Sequence, residues 1–402
     1  MKRWLILLVV ALLALAACGP SPDVAPAAEE PQAEAGAAPS AEENVAEESA
    51  AGGEETVAET GAETADSGRC GDRSRLSDTV SFYNWSDYID PAILEMFQEE
   101  CGVTVIYDTF SSNEDLLAKL QAGATGYDLI VPSDYMVSIM IQLGLLKELD
   151  HANIPNLANL AETFQDPPYD PGNRYSIPYQ WGTAGIGYDA DVVEPAPTSL
   201  AAIFDPAQAE QYAGKISLLN DSREVIGAAL KYLGYSVNST DPAQLEEAKQ
   251  AILAIKPYVV TFDSDTYSDL LVSGETVLGH GWNGGYYQAI FENEDRNFGF
   301  VVPEEGLTLF TDCLAVPASA PNPYTAEVLI NYLLDPEIGA MITNFTYYAS
   351  PNEAALPYID EEVKNDPGIY PPEDVLARME FIQDVGEATA LYERIWTEIK
   401  AE

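Results

Sequence analysis

The chain has 402 residues, of which 47% are hydrophobic, so its apolar side chains suffice for the cores of two domains of ordinary size. Its 66 Asp and Glu residues outnumber its 18 Lys and Arg residues, which gives a formal net charge of -48 at pH 7. This charge excludes nucleic acid as an expected partner and would concentrate cationic ligands, but acidic surfaces also serve solubility and salt tolerance, so charge alone names no ligand.

Residues 1–17 have the pattern of an export signal. Lys2 and Arg3 precede an apolar run over 4–17, which is shorter than the roughly 20 residues that a helix needs to cross a bilayer. The run ends in Leu-Ala-Ala-Cys, which resembles the lipobox of bacterial lipoproteins and would make Cys18 a lipidated N-terminus. An ordinary cleaved signal with an incidental cysteine is the alternative. We expect an exported lipoprotein, anchored at the outer face of the cytoplasmic membrane or in a periplasm.

The segment that follows the signal has the composition of a disordered tether. Residues 19–68 are rich in Ala, Glu, Pro and Gly, contain no Lys or Arg, and offer few bulky apolar side chains to bury. The alternative, a helix of Ala and Glu, is weakened by the scattered Pro and Gly residues. We assign the tether to residues 18–76.

Cysteines and histidines are few. Cys70 and Cys101 could form a disulfide in an exported protein, although their spacing does not prove it, and Cys313 would then be a small buried residue. His151 and His280 have no Cys or His cluster near them in the sequence. The sequence therefore predicts neither a metal site nor a cofactor.

The folded part begins with alternating strands and helices. Strands are predicted at 80–83, 103–107 and 129–131, and amphipathic helices at 91–100 and 113–121. This alternation predicts an α/β fold with a parallel sheet covered by helices. Ligands of such sheets bind beyond the carboxyl ends of the strands, which here lead into three turns. The three turns are 84–88, 109–113 and 133–135.

A second alternating region follows over 184–302. It has predicted strands near 216–219 and 276–279, and a further strand is predicted at 314–316. Two regions of this kind indicate two α/β lobes with a cleft between them.

Several predicted turns combine large aromatic residues with carboxylates. Trp85 is near Asp87 and Tyr88, Asp134 precedes Tyr135, and Phe310 is two residues from Asp312; Trp282 and Tyr348 have similar contexts. An alkyl diamine needs both kinds of group, because its methylenes gain from aromatic walls and its ammonium ends need carboxylates. Asp221 and Glu224, at a predicted helix start, could share one ammonium. For any single pair, a solvated turn is the alternative.

Five segments carry a resemblance to a known family. Residues 77–402 resemble the spermidine/putrescine-binding proteins of polyamine ABC transporters, most clearly in the segments 82–88 (FYNWSDY), 127–133, 177–182, 223–225 and 366–372. The resemblance implies the two-lobed type II periplasmic-binding-protein fold, in which hinge strands join discontinuous lobes. One lobe would comprise 77–181 and 312–355, and the other 182–311 and 356–402.

The resemblance also implies a binding site. The aromatic box around the alkyl chain would be formed by Trp85, Tyr88, Tyr135, Trp282, Phe310 and Tyr348. The carboxylates that meet the amines would be Asp221, Glu224 and Asp312, with hydroxyl contacts from Ser86 and Ser133 and with Asp87 beside them. Three departures bear on ligand choice. Phe310 stands where spermidine binders tend to have Trp, Asn283-Gly284-Gly285 lacks the acid of putrescine-specific relatives, and Ile382 stands where the family has a glutamine contact.

The implied function is capture of a polyamine by lobe closure and delivery to the permease subunits of an ABC importer, by a monomer without enzymatic activity. A receptor for another solute, such as a sugar, is the alternative in the same class, since aromatic rings beside carboxylates also suit carbohydrate. Two enzymatic alternatives are a glycosidase pair of Asp221 and Glu224 and a hydrolytic set of Ser133, His151 and Asp312. Neither has a supporting motif such as a nucleophile elbow.

Overall fold

Strands and helices alternate over most of the described chain, residues 68–123 and 125–401 of a computed structural model. The predicted signal, Cys18 and most of the tether lie outside these residues. The strands are β1 Thr79–Trp85, β2 Thr104–Phe110, β3 Leu129–Ile130, β4 Ser176–Asp189, β5 Ile216–Leu218, β6 Val259–Phe262, β7 Leu278–Trp282, β8 Phe298–Val301, β9 Thr308–Ala315 and β10 Glu380–Phe381.

Several helices, α1, α2, α5, α6, α7 and α11, begin where a Ser or Asp side chain caps the first turn. Helix α1 starts after Asp90, whose carboxylate accepts from the Ala92 amide, and ends at Gly102 in the left-handed conformation. No helix in the described ranges is long and apolar enough to cross a lipid bilayer. The α-helices are α1 Pro91–Cys101, α2 Asn113–Gln121, α3 Asp134–Gln142, α4 Ala201–Phe204, α5 Pro206–Ala209, α6 Ser222–Tyr232, α7 Pro242–Ile255, α8 Tyr267–Ser273, α9 Asn283–Glu292, α10 Pro323–Leu333, α11 Pro336–Thr346, α12 Glu361–Lys364, α13 Glu373–Leu376 and α14 Thr389–Ala401.

The strands form one mixed sheet in the order β2-β1-β3-β9-β4-β7-β5-β6, with β8 paired to β4 and β10 to β9. Strand β1 is parallel to β2 and β3, and β5 is parallel to β6 and β7. In the middle of the sheet the strands are antiparallel, because β9 runs against both β3 and β4, and β4 also runs against β7 and β8. The predicted parallel sheet is therefore correct for the two ends and wrong for the centre.

Two further expectations need correction at β9. The sequence predicted a short strand at 314–316 and a turn around Phe310 and Asp312. The structure has one strand from Thr308 to Ala315, and both residues lie inside it. Their side chains share a face because residues two apart in a strand point the same way.

Separate hydrophobic cores lie on either side of the β4–β9 pair. The first lobe's main core includes Phe82, Phe97 and Leu329, and the second lobe's core includes Ile216, Leu245 and Ile395. Strand β4 passes between them: its early residues Ile177 and Tyr179 pack in the first core, and its later residues Ala184 and Ile186 pack in the second. The predicted two-lobed α/β fold is thus confirmed, whereas the exact lobe ranges stay a prediction.

The beginning of the described chain is fixed to the first lobe. Cys70 and Cys101 form a disulfide with a Cα–Cα distance of 5.3 Å, and Cys313 is a free, buried cysteine. The Arg69 guanidinium lies 3.0 Å from the Asp335 carboxylate and 2.9 Å from that of Glu337. These contacts join the segment before β1 to helices α1 and α11.

Candidate ligand-binding site

A cavity lies between the two lobes, where β1 and β3 end. It has an empty space of about 830 Å³, part of which is open to solvent. All twelve residues that were predicted to bind ligand line this cavity, although they come from distant parts of the sequence. They are Trp85, Ser86, Asp87, Tyr88, Ser133, Tyr135, Asp221, Glu224, Trp282, Phe310, Asp312 and Tyr348. Their proximity was not visible in the sequence, and their role in binding stays a proposal.

Aromatic side chains form the apolar walls. The rings of Trp85 and Trp282 meet edge to face with centroids 6.0 Å apart, and the Trp85 indole is held by a 2.9 Å hydrogen bond from its Nε1 to the Val131 carbonyl. Tyr348 contacts Tyr88 and Phe310 edge to face, at 5.0 and 5.8 Å. Such walls favour an alkyl chain, which gains free energy when it leaves water.

Asp312 lies in the floor of the cavity and is only 4% exposed. Its carboxylate accepts hydrogen bonds from Ser133 Oγ at 2.5 Å and Tyr88 Oη at 2.6 Å. Burial raises the pKa of Asp312 to about 6 in spite of these two bonds, since a charge that leaves water loses more solvation than two hydroxyls restore. The carboxylate is therefore short of a positive partner.

Asp221 and Glu224 lie together at the start of α6, on the second lobe. Asp221 caps the helix and accepts from the amides of Arg223 and Glu224 at 2.9 and 3.0 Å. The Glu224 carboxylate accepts from Trp282 Nε1 at 3.1 Å and from a Thr308 hydroxyl at 2.5 Å. Burial, and then the charge of Asp221, raise the pKa of Glu224 to about 7. Two close, buried carboxylates form a favourable position for one ammonium group.

The cavity mouth is formed by loops of both lobes. Asp87 is exposed there, with a φ of 51°, in the loop that follows β1. Ser86 Oγ donates to the Asp265 carboxylate at 3.2 Å across the mouth. Burial, and then Asp269 and Asp265, raise the pKa of Asp87. The mouth is thus acidic on both sides.

The prediction missed two carboxylates. Asp134, the first residue of α3, lines the cavity and is 3% exposed, and burial raises its pKa to about 8. Glu114 accepts from Tyr135 Oη at 3.1 Å, and burial, followed by the charge of Asp221, raises its pKa to about 7. The sequence singled out the turn that contains Asp134, so this residue could have been found. Glu114 gave no signal, because its position in an amphipathic helix is typical of a surface acid.

Other residues that line the cavity were also missed. Most are small or polar, and they come from the end of β2, the starts of α2 and α8, the first half of α9 and the segments beside them; they are Phe110, Ser111, Asn113, Ser264, Asp265, Tyr267, Ser268, Gly285 and Gln288. Ile382 lines the cavity too, where the resemblance expected a glutamine contact. This part of the wall is therefore apolar.

The cavity lining carries no Lys, Arg or His side chain within the described ranges. Arg223 donates elsewhere, to the Gln383 carbonyl at 3.0 Å and to Asn238 Oδ1 at 3.1 Å. The ring of His151 lies 2.7 Å from the Asn173 carbonyl and is not brought to the cavity, so the hydrolytic set of Ser133, His151 and Asp312 is not assembled. The Arg223 charge lowers the pKa of Asp221 and Glu224 from outside the lining, but burial outweighs it and the pKa of both carboxyls stays raised. A bound cation would therefore find carboxylates that the described lining leaves without a direct positive partner.

Comparison with known proteins gives consistent results. Residues 92–371 match the family model for bacterial extracellular solute-binding proteins. The chain is 39% identical over 327 residues to the spermidine/putrescine-binding periplasmic protein of Escherichia coli, which covers 81% of this chain and 92% of that protein. It is 38% identical over 333 residues to a putrescine-binding periplasmic protein of Pseudomonas aeruginosa, which covers 79% of this chain and 91% of the relative.

A solved structure shares the fold. The crystal structure of a lipoprotein of Treponema pallidum superposes with a TM-score of 0.70 at 32% identity, over 81% of this chain and all of that chain. The sequence comparison and the fold comparison therefore agree on the family of the chain. It belongs to the bacterial extracellular solute-binding proteins, a family of transport proteins, and within them to the spermidine/putrescine-binding proteins that its sequence resembles.

Proposed function

We propose that the protein captures a polyamine outside the cytoplasm and delivers it to an ABC importer. One observation carries this proposal: Asp134, Asp221, Glu224 and Asp312 are buried around one cavity whose described lining supplies no cationic side chain. A buried charge is costly unless it is paired, so this arrangement favours a ligand that brings several positive charges.

The rest of the lining suits the remainder of such a ligand. The rings of Trp85, Trp282 and Tyr348 line the same cavity as these carboxylates and would cover methylene groups. Ring faces also attract ammonium groups. A neutral sugar would leave the carboxylates without a positive partner. The names of the relatives point the same way, since the Escherichia coli protein is named for spermidine and putrescine and the Pseudomonas aeruginosa protein for putrescine.

Capture would occur by closure of the lobes. We assign 77–181 and 312–355 to the first lobe and 182–311 and 356–402 to the second, with β4 and β9 as the hinge strands. Three hydrogen bonds connect loops and helices of the two lobes beside the cavity: one from Ser86 to Asp265, and two from Gln288 Nε2 to the Asp87 carbonyl at 3.5 Å and the Phe345 carbonyl at 3.2 Å. The rings of Trp85 and Trp282 also meet between the lobes. A ligand that bonds to both lobes would add to these contacts and so favour the closed form.

No bond is made or broken in this function. The carboxylates hold ammonium groups and leave them unchanged, so the protein is a binding protein and not an enzyme. Mass spectrometry of a polyamine recovered after prolonged incubation should show an unaltered ligand. A new product that requires the folded protein would contradict this part of the proposal.

We also propose that the protein is a monomer that is anchored to the membrane through a lipid on Cys18. The Leu-Ala-Ala-Cys sequence supports the anchor, and the Treponema pallidum relative is named a lipoprotein. Cells that express the protein should incorporate labelled palmitate into it, and a Cys18→Ser variant should lose both the label and the membrane association. A labelled, membrane-bound variant would exclude this anchor.

Light scattering measures the molar mass of the protein after its release from the membrane and so tests whether it is a monomer.

Calorimetric titration of the purified protein tests the central proposal. Putrescine, cadaverine, spermidine and spermine are titrated separately, with maltose as a neutral control. We expect at least one amine to saturate a single site and maltose to produce no binding heat. A protein that unfolds cooperatively on heating but binds none of the amines would contradict the proposed function.

A further inference from the structure

The cavity has an apolar corner, formed by Phe110, Tyr135 and Ile382. These three residues line the cavity, belong to one hydrophobic cluster and are 5%, 6% and 7% exposed. We propose that this apolar corner holds an alkyl group on a terminal nitrogen of the ligand, so that the protein prefers N-alkylated polyamines, such as N-methylputrescine, to the unsubstituted amines. This inference rests on the proposed polyamine function and names the class of ligand more closely.

Contacts of Arg223 place the apolar corner next to a carboxylate. The Arg223 amide donates to Asp221 Oδ1 at 2.9 Å. The Arg223 guanidinium donates to the Gln383 carbonyl at 3.0 Å, and its Cζ lies 5.6 Å from the centre of the Tyr135 ring. Gln383 directly follows Ile382 in the chain. The apolar corner therefore adjoins Asp221, so an ammonium group bound at this carboxylate would have apolar side chains beside it.

Hydrogen-bond acceptors at this end of the cavity are already in use. Asp221 Oδ1 accepts from two backbone amides, and each oxygen of the Glu224 carboxylate accepts from one side chain. The side chains of Phe110 and Ile382 have no polar atom. A primary ammonium has three N–H donors, and a donor that points into the apolar corner would be buried without an acceptor, which is costly. A methyl group in place of that N–H removes the unpaired donor and gains free energy from apolar burial.

The aromatic rings of the apolar corner favour the same group. The centroid of the Phe110 ring lies 4.5 Å from that of Trp85, and Tyr135 supplies a further ring. Ring faces attract methylated ammonium groups, as they do in the aromatic cages that bind methyl-lysine. An N-methylammonium therefore suits a position with rings on one side and a carboxylate on the other.

The rival interpretation is that water fills the apolar corner. A water molecule there could accept the third N–H of a primary ammonium, and a methyl group would then displace the water without replacing its hydrogen bonds. Under that interpretation, putrescine binds at least as tightly as N-methylputrescine. The lining argues against an ordered water, because a buried water needs two to four polar partners and the side chains of Phe110 and Ile382 offer none.

Two isomeric diamines provide the test. N-methylputrescine and cadaverine each add one carbon to putrescine, the first on a nitrogen and the second within the chain. Calorimetric titration of the unaltered protein measures the affinity of all three amines. We expect N-methylputrescine to bind at least threefold more tightly than putrescine, and also more tightly than cadaverine. The comparison with cadaverine separates a methyl group on the nitrogen from an extra carbon as such.

A substitution at Ile382 then assigns the preference to the apolar corner. In Ile382→Gln the new amide would meet the methyl group and could accept the third N–H of putrescine. We expect N-methylputrescine affinity to fall at least tenfold and putrescine affinity to change less than threefold, which reverses the preference. A merely structural role of Ile382 would weaken both ligands alike.

The preceding residue supplies the matched control. Phe381 is 45% exposed and lies outside the cavity lining, so Phe381→Gln makes the same kind of change without altering the apolar corner. We expect this variant to keep the preference for N-methylputrescine. Thermal unfolding verifies that both variants fold.

The outcomes separate this inference from the proposed function. If the folded, unaltered protein binds no amine, the polyamine function is wrong. If it binds an amine but does not bind N-methylputrescine more tightly than both putrescine and cadaverine, the function stands and the role of the apolar corner is overturned. That role is also overturned if folded Ile382→Gln keeps the preference or weakens both ligands equally. The comparison on the unaltered protein remains decisive if Ile382→Gln does not fold.

Discussion

At the scale of single residues, the twelve predicted positions differ in how deeply they lie. Asp312 is buried and receives two hydroxyl bonds, whereas Asp87 is exposed at the mouth. An ammonium paired with a buried carboxylate has lost its water and depends on that partner. An ammonium at an exposed carboxylate keeps water as an alternative partner.

Replacing the two residues should therefore have unequal effects. We expect Asp312→Asn to weaken binding of the preferred polyamine by about 2 kcal/mol or more, roughly 30-fold, because it removes one partner of a desolvated charge pair. Asp87→Asn should cost less than about 1 kcal/mol, roughly fivefold, as measured for exposed pairs. Calorimetric titration of both variants provides the comparison. Equal losses would show that the cavity floor is not the position of the paired ammonium.

At the scale of elements, the sequence predicts strands and helices well where their patterns are regular. Helix α2 begins and ends at the predicted residues, and the Ser112 hydroxyl caps it by accepting from the Asp115 amide. The long strand β4 was not predicted, because Pro178 and several glycines interrupt its apolar pattern. The structure accommodates Pro178 next to a register shift in the pairing with β9.

The glycines of β4 have a packing reason that no local pattern carries. A Cβ on Gly187 would lie 2.3 Å from the ring of Tyr286, and one on Gly185 would lie 2.4 Å from the ring of Phe300. Both rings belong to elements about 100 residues later in the chain. The site could be predicted only in part for the same reason: the turns were visible, but their meeting depends on strands β4 and β9.

A glycine of α9 offers a test of packing at the element scale. Alanine is favoured over glycine inside a helix by about 1 kcal/mol. At Gly284, however, a Cβ would lie 2.3 Å from the Tyr348 ring, which lines the cavity. We expect Gly284→Ala to displace this ring and to lower polyamine affinity at least fivefold, as measured by titration.

Helix α6 supplies the matched control. A Cβ on Gly227 would meet Val237 at 3.4 Å, an ordinary contact, so Gly227→Ala should unfold at the same or a higher temperature and bind with unchanged affinity. If both alanine variants bound like the unaltered protein, the Tyr348 ring would not be a wall of the occupied site.

At the scale of the whole molecule, binding of a cationic ligand in the cavity is coupled to the release of protons from the lining carboxyls. Burial raises the pKa of Asp134 to about 8, of Glu224 to about 7 and of Asp312 to about 6. These values are above those of unfolded carboxyls, so the empty protein binds protons that a cationic ligand must displace. Binding therefore releases protons and weakens as the pH falls through this range.

We expect putrescine affinity to fall by roughly tenfold or more between pH 8 and pH 6, since its primary amines stay charged there. Titration at intermediate pH values in buffers of different ionisation enthalpy would measure the proton release directly. The empty protein should also lose stability as the pH rises from 4 to 8 on account of these groups, because its folded state holds the extra protons. Affinity that is constant or higher at pH 6 would mean that the carboxylates are already charged when the cavity is empty.

The disulfide and the Arg69 ion pairs have a mechanical consequence. Both join the start of the described chain to α1 and α11, which pack in the first core. Any pull transmitted through the preceding residues therefore enters the first lobe alone. The second lobe is joined to the first through strands β4 and β9 and through contacts of α9 with α11, such as the stacked rings of Phe291 and Tyr347 with centroids 4.8 Å apart. On the proposed Cys18 anchor, the attachment therefore enters the first lobe, and closure of the second lobe would not need the attached residues to move.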